Sequence, residues 1–316
     1  MRSLIYILDL SVEELDELVA TACDIVENPA KYAEACHGKK LATLFFEPST
    51  RTRMSFEAAM YELGGNVITM ASAASSSASK GESVADTAKV ISCYADIIAM
   101  RHPKEGAALV AANNATVPVI NAGDGGHCHP TQTLADLLTI YREKGTFQNL
   151  TVGFCGDLKF GRTVHSLINA LSRYTGIKIV LISPQELKLP SYVKNDALKS
   201  KNIPYVQTED LSAVMPELDI LYMTRVQKER FSDLMEYERV KDAYLLKKDM
   251  LVKAKENMKI LHPLPRVNEI EYSIDDTPYA YYFQQAQNGL YARQALICDA
   301  LGITLEDVKN DKTIIG

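Results

Sequence analysis

Short apolar runs alternate with helical patterns along most of this 316-residue chain, and this alternation restricts its fold more than any other feature. Each run is short enough for one strand and is apolar throughout, which is typical of strands buried on both faces. The connections between the runs are helical, and such helices cover the two faces of a parallel sheet. We therefore predict the α/β class, with parallel β-sheets flanked by helices.

The pattern defines the elements as follows. The predicted strands are 40–46, 66–70, 96–100, 117–120, 150–155, 177–182, 219–223 and 258–261. The predicted helices are 11–27, 49–63, 83–94, 105–112, 131–144, 162–174 and 284–301. The first helix opens with a capping box, because Glu14 follows Ser11 by three residues.

The strand and helix series restarts near residue 145, so the chain divides into two similar lobes. A length of 316 residues agrees with two domains, at roughly 150 residues for each. We expect domains at 1–145 and 146–286. The sequence does not show which lobe the last helix contacts; our expectation is that residues 287–316 pack back on the first.

The net charge and the cysteine pattern exclude several classes of function. Lys and Arg total 34 and Asp and Glu total 40, which gives a net charge of −6 and argues against general binding to nucleic acid or to a membrane surface. No stretch is apolar enough to span a membrane. The six cysteines are scattered with no C-x-x-C pair, so neither a zinc knuckle nor a disulfide framework is indicated, and a reducing cytoplasm is the simplest location.

The densest chemical signal is the segment between the first strand and the second helix. Ser49, Thr50 and Thr52 add hydroxyl donors to a helix start, and Arg51 adds a planar cationic group. Free N–H groups and the helix dipole also favour an anion there, and phosphate is the anion that suits this set. The segment is neither a Walker A loop nor a dinucleotide-binding fingerprint. A solvated helix start with capping hydroxyls is the alternative interpretation.

Three further arginines follow predicted strands, where open α/β sheets bind their ligands. Arg101 directly follows the strand 96–100, Arg162 follows the glycine-containing loop after 150–155, and Arg225 comes shortly after 219–223. The last two suit a ligand with two negative charges. For Arg101, the alternative is a solvated arginine at the end of a strand.

Two other loops carry polar groups. His127, Cys128 and His129 lie in a glycine-rich loop, but they lack the fourth ligand of a metal site, so His129 and Gln132 are better interpreted as polar contacts to a ligand. The segment 262–266 has two prolines around Leu264, which fix the backbone and leave its carbonyl groups as acceptors.

Together these motifs resemble the aspartate carbamoyltransferases, catalytic chain, of the aspartate/ornithine carbamoyltransferase superfamily. Ser49-Thr50-Arg51-Thr52 is similar to the family's carbamoyl-phosphate signature. The other matching segments, in the family's order, are His129-Pro130-Thr131-Gln132, the loop before Arg162, Met223-Thr224-Arg225-Val226-Gln227, His262-Pro263-Leu264-Pro265 and Tyr282-Phe283-Gln284-Gln285-Ala286. Ornithine carbamoyltransferases typically have Cys at the position of Pro263 and an S-M-G motif, and neither is found in this sequence.

The resemblance implies transfer of a carbamoyl group from carbamoyl phosphate to the amine of L-aspartate, in pyrimidine synthesis, without a cofactor or a metal. The domain 1–145 would bind carbamoyl phosphate and 146–286 would bind aspartate, with the active site between the two lobes. The residues implied to bind carbamoyl phosphate are Ser49, Thr50, Arg51, Thr52, Ser76, Arg101, His129, Gln132, Pro263, Leu264 and Pro265. Those implied to bind aspartate are Lys80, Arg162, Arg225 and Gln227. Arg51, Thr52, Arg101 and His129 would be catalytic: Arg51 would hold the phosphate, and the other three would donate to the carbamoyl oxygen.

The segment 71–79 consists only of Ser and Ala, which on composition alone indicates a flexible surface loop. In the family, a loop from a neighbouring subunit completes the site, and Ser76 and Lys80 match its Ser and Lys. The resemblance therefore implies a homotrimer with sites shared between subunits, with regulatory chains as candidate partners. Two alternatives remain: a carbamoyltransferase for another amine, and a binding protein that retained the fold without turnover.

Overall fold

The computed structural model describes residues 2–72, 77–228, 231, 233–304 and 307–308. These residues form two compact units. The first contains the described residues within Met1–Leu138 and Gln287–Gly316, and the second is Thr139–Ala286. Among the described residues, no helix has the length and apolar character needed to cross a membrane.

The first unit is built on a four-stranded parallel sheet. Its strands are β1 (Lys40–Phe45), β2 (Asn66–Met70), β3 (Ile97–His102) and β4 (Val119–Asp124). Their order is β2-β1-β3-β4. The three strands β1, β3 and β4 are almost wholly buried, whereas the edge strand β2 is largely exposed. Apolar side chains on both faces of the inner strands therefore supply the core of this unit.

Helices cover this sheet and connect its strands. They are α1 (Val12–Glu27), α2 (Pro29–Tyr32), α3 (Thr50–Glu62), α4 (Val84–Ile91), α5 (Ala107–Asn114) and α6 (Pro130–Lys144), whose last turns belong to the second unit. Single 3₁₀ turns lie at Ile7–Asp9 and Ser77–Lys80. The predicted capping box at the start of α1 is confirmed, because the Glu14 amide donates to Ser11 Oγ at 3.2 Å and the Ser11 amide donates to Glu14 Oε2 at 2.6 Å.

The second unit contains a five-stranded parallel sheet in the order β7-β6-β5-β8-β9. Its strands are β5 (Thr151–Cys155), β6 (Lys178–Ile182), β7 (Tyr205–Thr208), β8 (Ile220–Met223) and β9 (Lys259–Leu261). The two parallel sheets flanked by helices confirm the predicted α/β class. Strand β7 is absent from the sequence prediction, because it is a short, partly exposed edge strand without a continuous apolar run.

The remaining helices are α7 (Arg162–Leu171), α8 (Ser191–Val193), α9 (Leu211–Val214), α10 (Leu234–Val240) and α11 (Tyr282–Leu301). Short 3₁₀ segments lie at Gln185–Leu187, Met215–Glu217, Lys248–Lys253 and Tyr272–Ile274, and a π-helical segment at Lys194–Lys199. Helix α11 begins two residues earlier than predicted. From Gln287 onward it belongs to the first unit, where Gln294 Nε2 donates to Glu62 Oε2 on α3 at 3.1 Å.

Candidate active site

In the first unit, three predicted segments lie at one edge of the sheet. Helix α3 follows β1, Arg101 is the penultimate residue of β3, and the loop after β4 leads to His129 and α6. Phe45 pairs with Arg101 across β1 and β3, and His102 pairs with Asp124 across β3 and β4. Because neighbouring parallel strands end at the same edge, the fold gathers these polar groups on one side of the unit.

The start of α3 has the properties expected of an anion site. Ser49 is the N-cap residue, but its hydroxyl makes no capping hydrogen bond to the first turn. Thr50 and Arg51 are exposed, and Thr52 is only 8% exposed. The first N–H groups of a helix have no partner within the helix, so a ligand can take the place of the missing cap.

Arg101 is held by a carboxylate of its own chain. Its Nη2 lies 3.2 Å from Glu47 Oε2, and its Nη1 donates to the carbonyl oxygen of Ala122 at 3.4 Å. The arginine side chain is only 12% exposed. This ion pair positions the guanidinium at the sheet edge, and an anion that binds there must compete with Glu47.

A buried aspartate organises the loop after β4. Asp124 is fully buried and accepts hydrogen bonds from the Gly106 amide at 2.9 Å and from Asn121 Nδ2 at 3.0 Å. The ring of His127 contacts the same carboxylate, with 3.4 Å between Nδ1 and Oδ2. His129 is buried beside Thr131, with 3.3 Å between its Nδ1 and the threonine Oγ1. The described residues contain no group of three His, Cys, Asp or Glu side chains that could hold a metal ion.

The second unit places its predicted cationic groups at the ends of the adjacent strands β5 and β8. Arg162 is the first residue of α7, while Arg225 and Gln227 lie in the loop after β8. All three side chains are partly exposed. The amide group of Gln227 contacts the carbonyl oxygen of Phe160 at 3.5 Å, so the two loops also touch each other.

Asp157 ties these two loops together. It is fully buried and accepts from the Phe160 amide at 2.9 Å in its own loop and from the Gln227 amide at 3.4 Å in the other. Burial raises the pKa of Asp157, while these backbone donors act in the opposite direction. Thr224 adds a second tie, because its Oγ1 accepts from the Asp157 amide at 2.9 Å and donates to the Cys155 carbonyl at 3.1 Å. The chain therefore fixes the backbones on which Arg162 and Arg225 stand.

The turn after β9 is held by a histidine and a glutamate. The Leu264 amide donates to His262 Nδ1 at 2.8 Å, so the ring proton is on Nε2, which donates to Glu269 Oε1 at 2.7 Å. Leu264 has a positive φ of 53°, and the Leu264-Pro265 bond is cis. Burial lowers the pKa of His262 although Glu269 opposes this effect, and the ring is only 1% exposed. A neutral ring thus fixes the backbone of Pro263 and Leu264.

Of three other predicted site residues, the structure describes two. Lys80 ends the turn Ser77–Lys80 and is exposed, and Gln132 is half-buried in the first turn of α6. Ser76 lies outside the described residues. The residues that the sequence did not reveal are the supporting carboxylates Glu47, Asp124, Asp157 and Glu269. In the sequence, each of them is visible only as an acidic residue inside or near one of the segments that contain the candidate polar and cationic residues.

Comparisons with known proteins agree with this arrangement. The family described as aspartate/ornithine carbamoyltransferase matches twice: its carbamoyl-P binding domain at residues 2–142 and its Asp/Orn binding domain at residues 148–299. These matches span most of the sequence, and the chain belongs to the aspartate/ornithine carbamoyltransferase family.

Within that family, this chain is similar to aspartate carbamoyltransferase catalytic subunits of several bacteria. The one from Lachnoclostridium phytofermentans is 62% identical over 307 residues, which cover 97% of this chain and 100% of that protein. The one from Clostridium novyi is 60% identical over 302 residues, or 96% and 98% of the two chains.

Solved structures give the same result. The catalytic subunit of M. jannaschii aspartate transcarbamoylase has a TM-score of 0.89 and 48% identity, and the alignment covers 96% of this chain and 98% of that one. The aspartate transcarbamoylase of Trypanosoma cruzi, in complex with carbamoyl phosphate and aspartate, has a TM-score of 0.88 and 36% identity, with 94% and 95% covered.

The two hydrogen bonds of the Thr224 hydroxyl predict that removing this group lowers the stability of the fold. Thr224→Val leaves the Asp157 amide and the Cys155 carbonyl without this partner, so the free energy of unfolding should fall by about 1–3 kcal/mol. Urea denaturation measures it. Thr87→Val is the matched control, because Thr87 Oγ1 is buried and makes no hydrogen bond within the described part of the chain. Equal losses in the two variants would contradict the role given to Thr224.

The His262–Glu269 pair predicts a loss of stability in mild acid. The pKa of His262 is depressed in the folded chain, so the unfolded chain binds the proton first as the pH falls below about 6.5. The free energy of unfolding should therefore be constant above pH 7.5 for this group and decrease toward pH 5.5, by at most about 1.4 kcal/mol per pH unit.

Denaturation at a series of pH values tests this, with His262→Gln as the comparison. Burial also lowers the pKa values of His102 and His165, so both act in the same direction in the two proteins. The variant should show a shallower slope between pH 7.5 and 5.5. An unchanged slope would mean that His262 does not contribute to the acid sensitivity.

Proposed function

We propose that this protein is a transferase that moves the carbamoyl group of carbamoyl phosphate to the amine of L-aspartate. The products are N-carbamoyl-L-aspartate and phosphate, in an early step of de novo pyrimidine (UMP) biosynthesis. The observation that carries the proposal is identity of about 60% over nearly the whole chain with aspartate carbamoyltransferase catalytic subunits. The two sets of cationic residues, one in each unit, support it, because both substrates are anions.

Carbamoyl phosphate is assigned to the sheet edge of the first unit. Ser49, Thr50, Arg51 and Thr52 surround the start of α3 and would hold the phosphate. Arg101 would join them, and with Thr52 and His129 it would donate to the carbamoyl oxygen. Negative charge grows on that oxygen as the amine attacks, and a donor fixed in advance stabilises it by about 3 kcal/mol.

Aspartate is assigned to the loops of the second unit. Its two carboxylates suit the two arginines Arg162 and Arg225, each of which can form a pair of parallel hydrogen bonds to one carboxylate. Gln227 and Lys80 are assigned to the same substrate. The ties through Asp157 and Thr224 support this assignment, because they fix the loops that carry both arginines.

The reaction needs positioning and charge stabilisation more than a reactive group of the protein. The aspartate nitrogen forms a bond to the carbamoyl carbon, the bond from that carbon to the bridging oxygen breaks, and phosphate leaves. The proton of the amine passes to the departing phosphate. The backbone carbonyls of Pro263 and Leu264, with Pro265 fixing the turn, and the amide of Gln132 are assigned to the carbamoyl NH2 group. We assign no cofactor and no metal to these steps.

The assembly and location that we propose follow from the family. They are a homotrimer in which Ser76 and Lys80 serve the site of a neighbouring subunit, regulatory chains as further partners, and the cytoplasm. We also propose that residues 1–145 form the carbamoyl-phosphate domain, with 287–316 packed on it, and that 146–286 form the aspartate domain. The exposed Lys80, at the end of its turn, supports a role outside its own subunit's core.

The proposed reaction predicts the choice of acceptor. Purified protein given carbamoyl phosphate should form carbamoyl-aspartate from L-aspartate, without added metal, and should form no citrulline from L-ornithine. Arg225→Ala should raise the KM for aspartate by at least about tenfold, because one carboxylate loses a bidentate partner. Product from ornithine alone would overturn the acceptor assignment, and binding of carbamoyl phosphate without turnover would identify a silent relative.

Shared sites predict recovery of activity in mixed assemblies. Arg51→Ala removes the phosphate contact and Lys80→Ala removes the residue given to the neighbour, so each variant alone should be almost inactive. Mixed trimers that contain both variants should recover part of the activity, since some sites then have both native residues. Activity of re-formed mixtures measures this, with each variant re-formed alone as control. Mixed trimers without recovery would contradict sharing.

A further inference from the structure

Gln132 is held by an aspartate that has no place in the reaction described above. Gln132 and Asp136 lie four residues apart on α6, so their side chains meet on one face of the helix. Gln132 Nε2 donates to Asp136 Oδ1 at 2.8 Å. Asp136 is 0% exposed, whereas Gln132 is only half-buried. One end of the glutamine amide is therefore held by a fully buried carboxylate, while the residue as a whole is partly exposed.

This contact decides which way the amide of Gln132 is turned. A carboxylate only accepts hydrogen bonds, so the NH2 group of the amide must face Asp136. The carbonyl oxygen Oε1 then lies in the same plane on the other side of the Cγ–Cδ bond, where it can accept a hydrogen bond from a ligand. Without a fixed partner the amide can rotate by half a turn and present its NH2 group instead.

A buried arginine keeps a negative charge at Asp136 acceptable in the interior. Arg293 of α11 is 5% exposed, its Nη1 donates to the Gly289 carbonyl at 2.6 Å, and its guanidinium lies 5.2 Å from the ring centre of Phe56. Burial lowers the pKa of Arg293 to about 10, and the charge of Asp136 acts in the opposite direction. Each buried charge thus has an opposite charge within the same unit, as interior ionised groups require.

We infer that Asp136 is a positioning residue of the carbamoyl phosphate site, which turns the carbonyl oxygen of Gln132 toward the NH2 group of the substrate. This inference rests on the proposed function. It predicts a preference between two compounds of nearly equal shape, carbamoyl phosphate and acetyl phosphate. Acetyl phosphate has a methyl group where carbamoyl phosphate has NH2, so only carbamoyl phosphate can donate to an oriented Gln132 oxygen.

The test is Asp136→Asn, whose side chain has the same shape but both donates and accepts. The kcat/KM for carbamoyl phosphate should fall by about 10- to 100-fold, as expected for loss of a charge-assisted hydrogen bond. The inhibition constant of acetyl phosphate, measured as a competitor, should change less than about threefold. An equal loss for both compounds would overturn the inference, because it would indicate general damage to the site.

Two further variants test whether the loss of activity arises from damaged folding. Asp136→Asn leaves Arg293 buried with less compensation, so Asp136→Asn is also made together with Arg293→Met, which removes that charge. The double variant should show the same preferential loss for carbamoyl phosphate. Asp24→Asn is the matched control, since Asp24 also accepts from several side chains of the first unit, including Lys31 at 2.6 Å, but contacts no assigned site residue. It should reduce stability and leave the preference for carbamoyl phosphate unchanged.

A variant that already lacks the Gln132 amide distinguishes a positioning role of Asp136 from a packing role. In Gln132→Met, Asp136→Asn should cause no further loss of kcat/KM, because the group through which it acts is absent. A loss by the same factor in both backgrounds would overturn the inference. The wild-type assay with L-aspartate separates this outcome from failure of the proposed function, since a wild type that turns over carbamoyl phosphate leaves only the role of Asp136 in question.

Discussion

The parallel direction of the strands is the constraint on which the rest of this structure depends. Parallel strands all end at the same edge of their sheet, so every loop that follows a strand is brought to that edge. In the first unit this edge holds the start of α3, Arg101 and the approach to α6. In the second unit it holds the start of α7, the loop with Arg225, and the turn after β9. Residues far apart in the sequence thus become neighbours without long connections.

Cations brought together in this way repel one another. Carboxylates of the same chain, most of them buried, offset this repulsion. Glu47 pairs with Arg101, Asp157 ties the loops of Arg162 and Arg225, and Glu269 holds the ring of His262. Asp157 and Glu269 accept hydrogen bonds from groups of the loops that they hold, whereas Glu47 holds the Arg101 guanidinium by an ion pair. A family resemblance based on the cations identifies the function, but the supporting acids determine how firmly the cations are held.

The sequence predicts the fold class and the inner strands, because burial on both faces leaves a continuous apolar run. Ser11 and Glu14 are an example at the level of single residues, since their contact depends only on local spacing. Strand β7 could not be predicted, because an exposed edge strand needs no such run. The candidate site divides in the same way: Ser49 and Arg162 follow from local pattern, whereas the Glu47–Arg101 pair depends on strand register. The roles of the assigned residues stay predictions until activity is measured.

The environment of Gly289 limits how this sequence can change. A Cβ atom at this position would lie 2.7 Å from Arg293 Nη1, closer than side chains pack. Glycine in the middle of a helix costs about 1 kcal/mol relative to alanine, so an unconstrained helix would readily exchange it. At Gly289, the space that a side chain would take is occupied by the guanidinium of Arg293, from the following turn. The dependence runs in one direction: a side chain at Gly289 requires the Arg293 guanidinium to move or to be replaced, whereas Arg293 can be replaced while Gly289 stays.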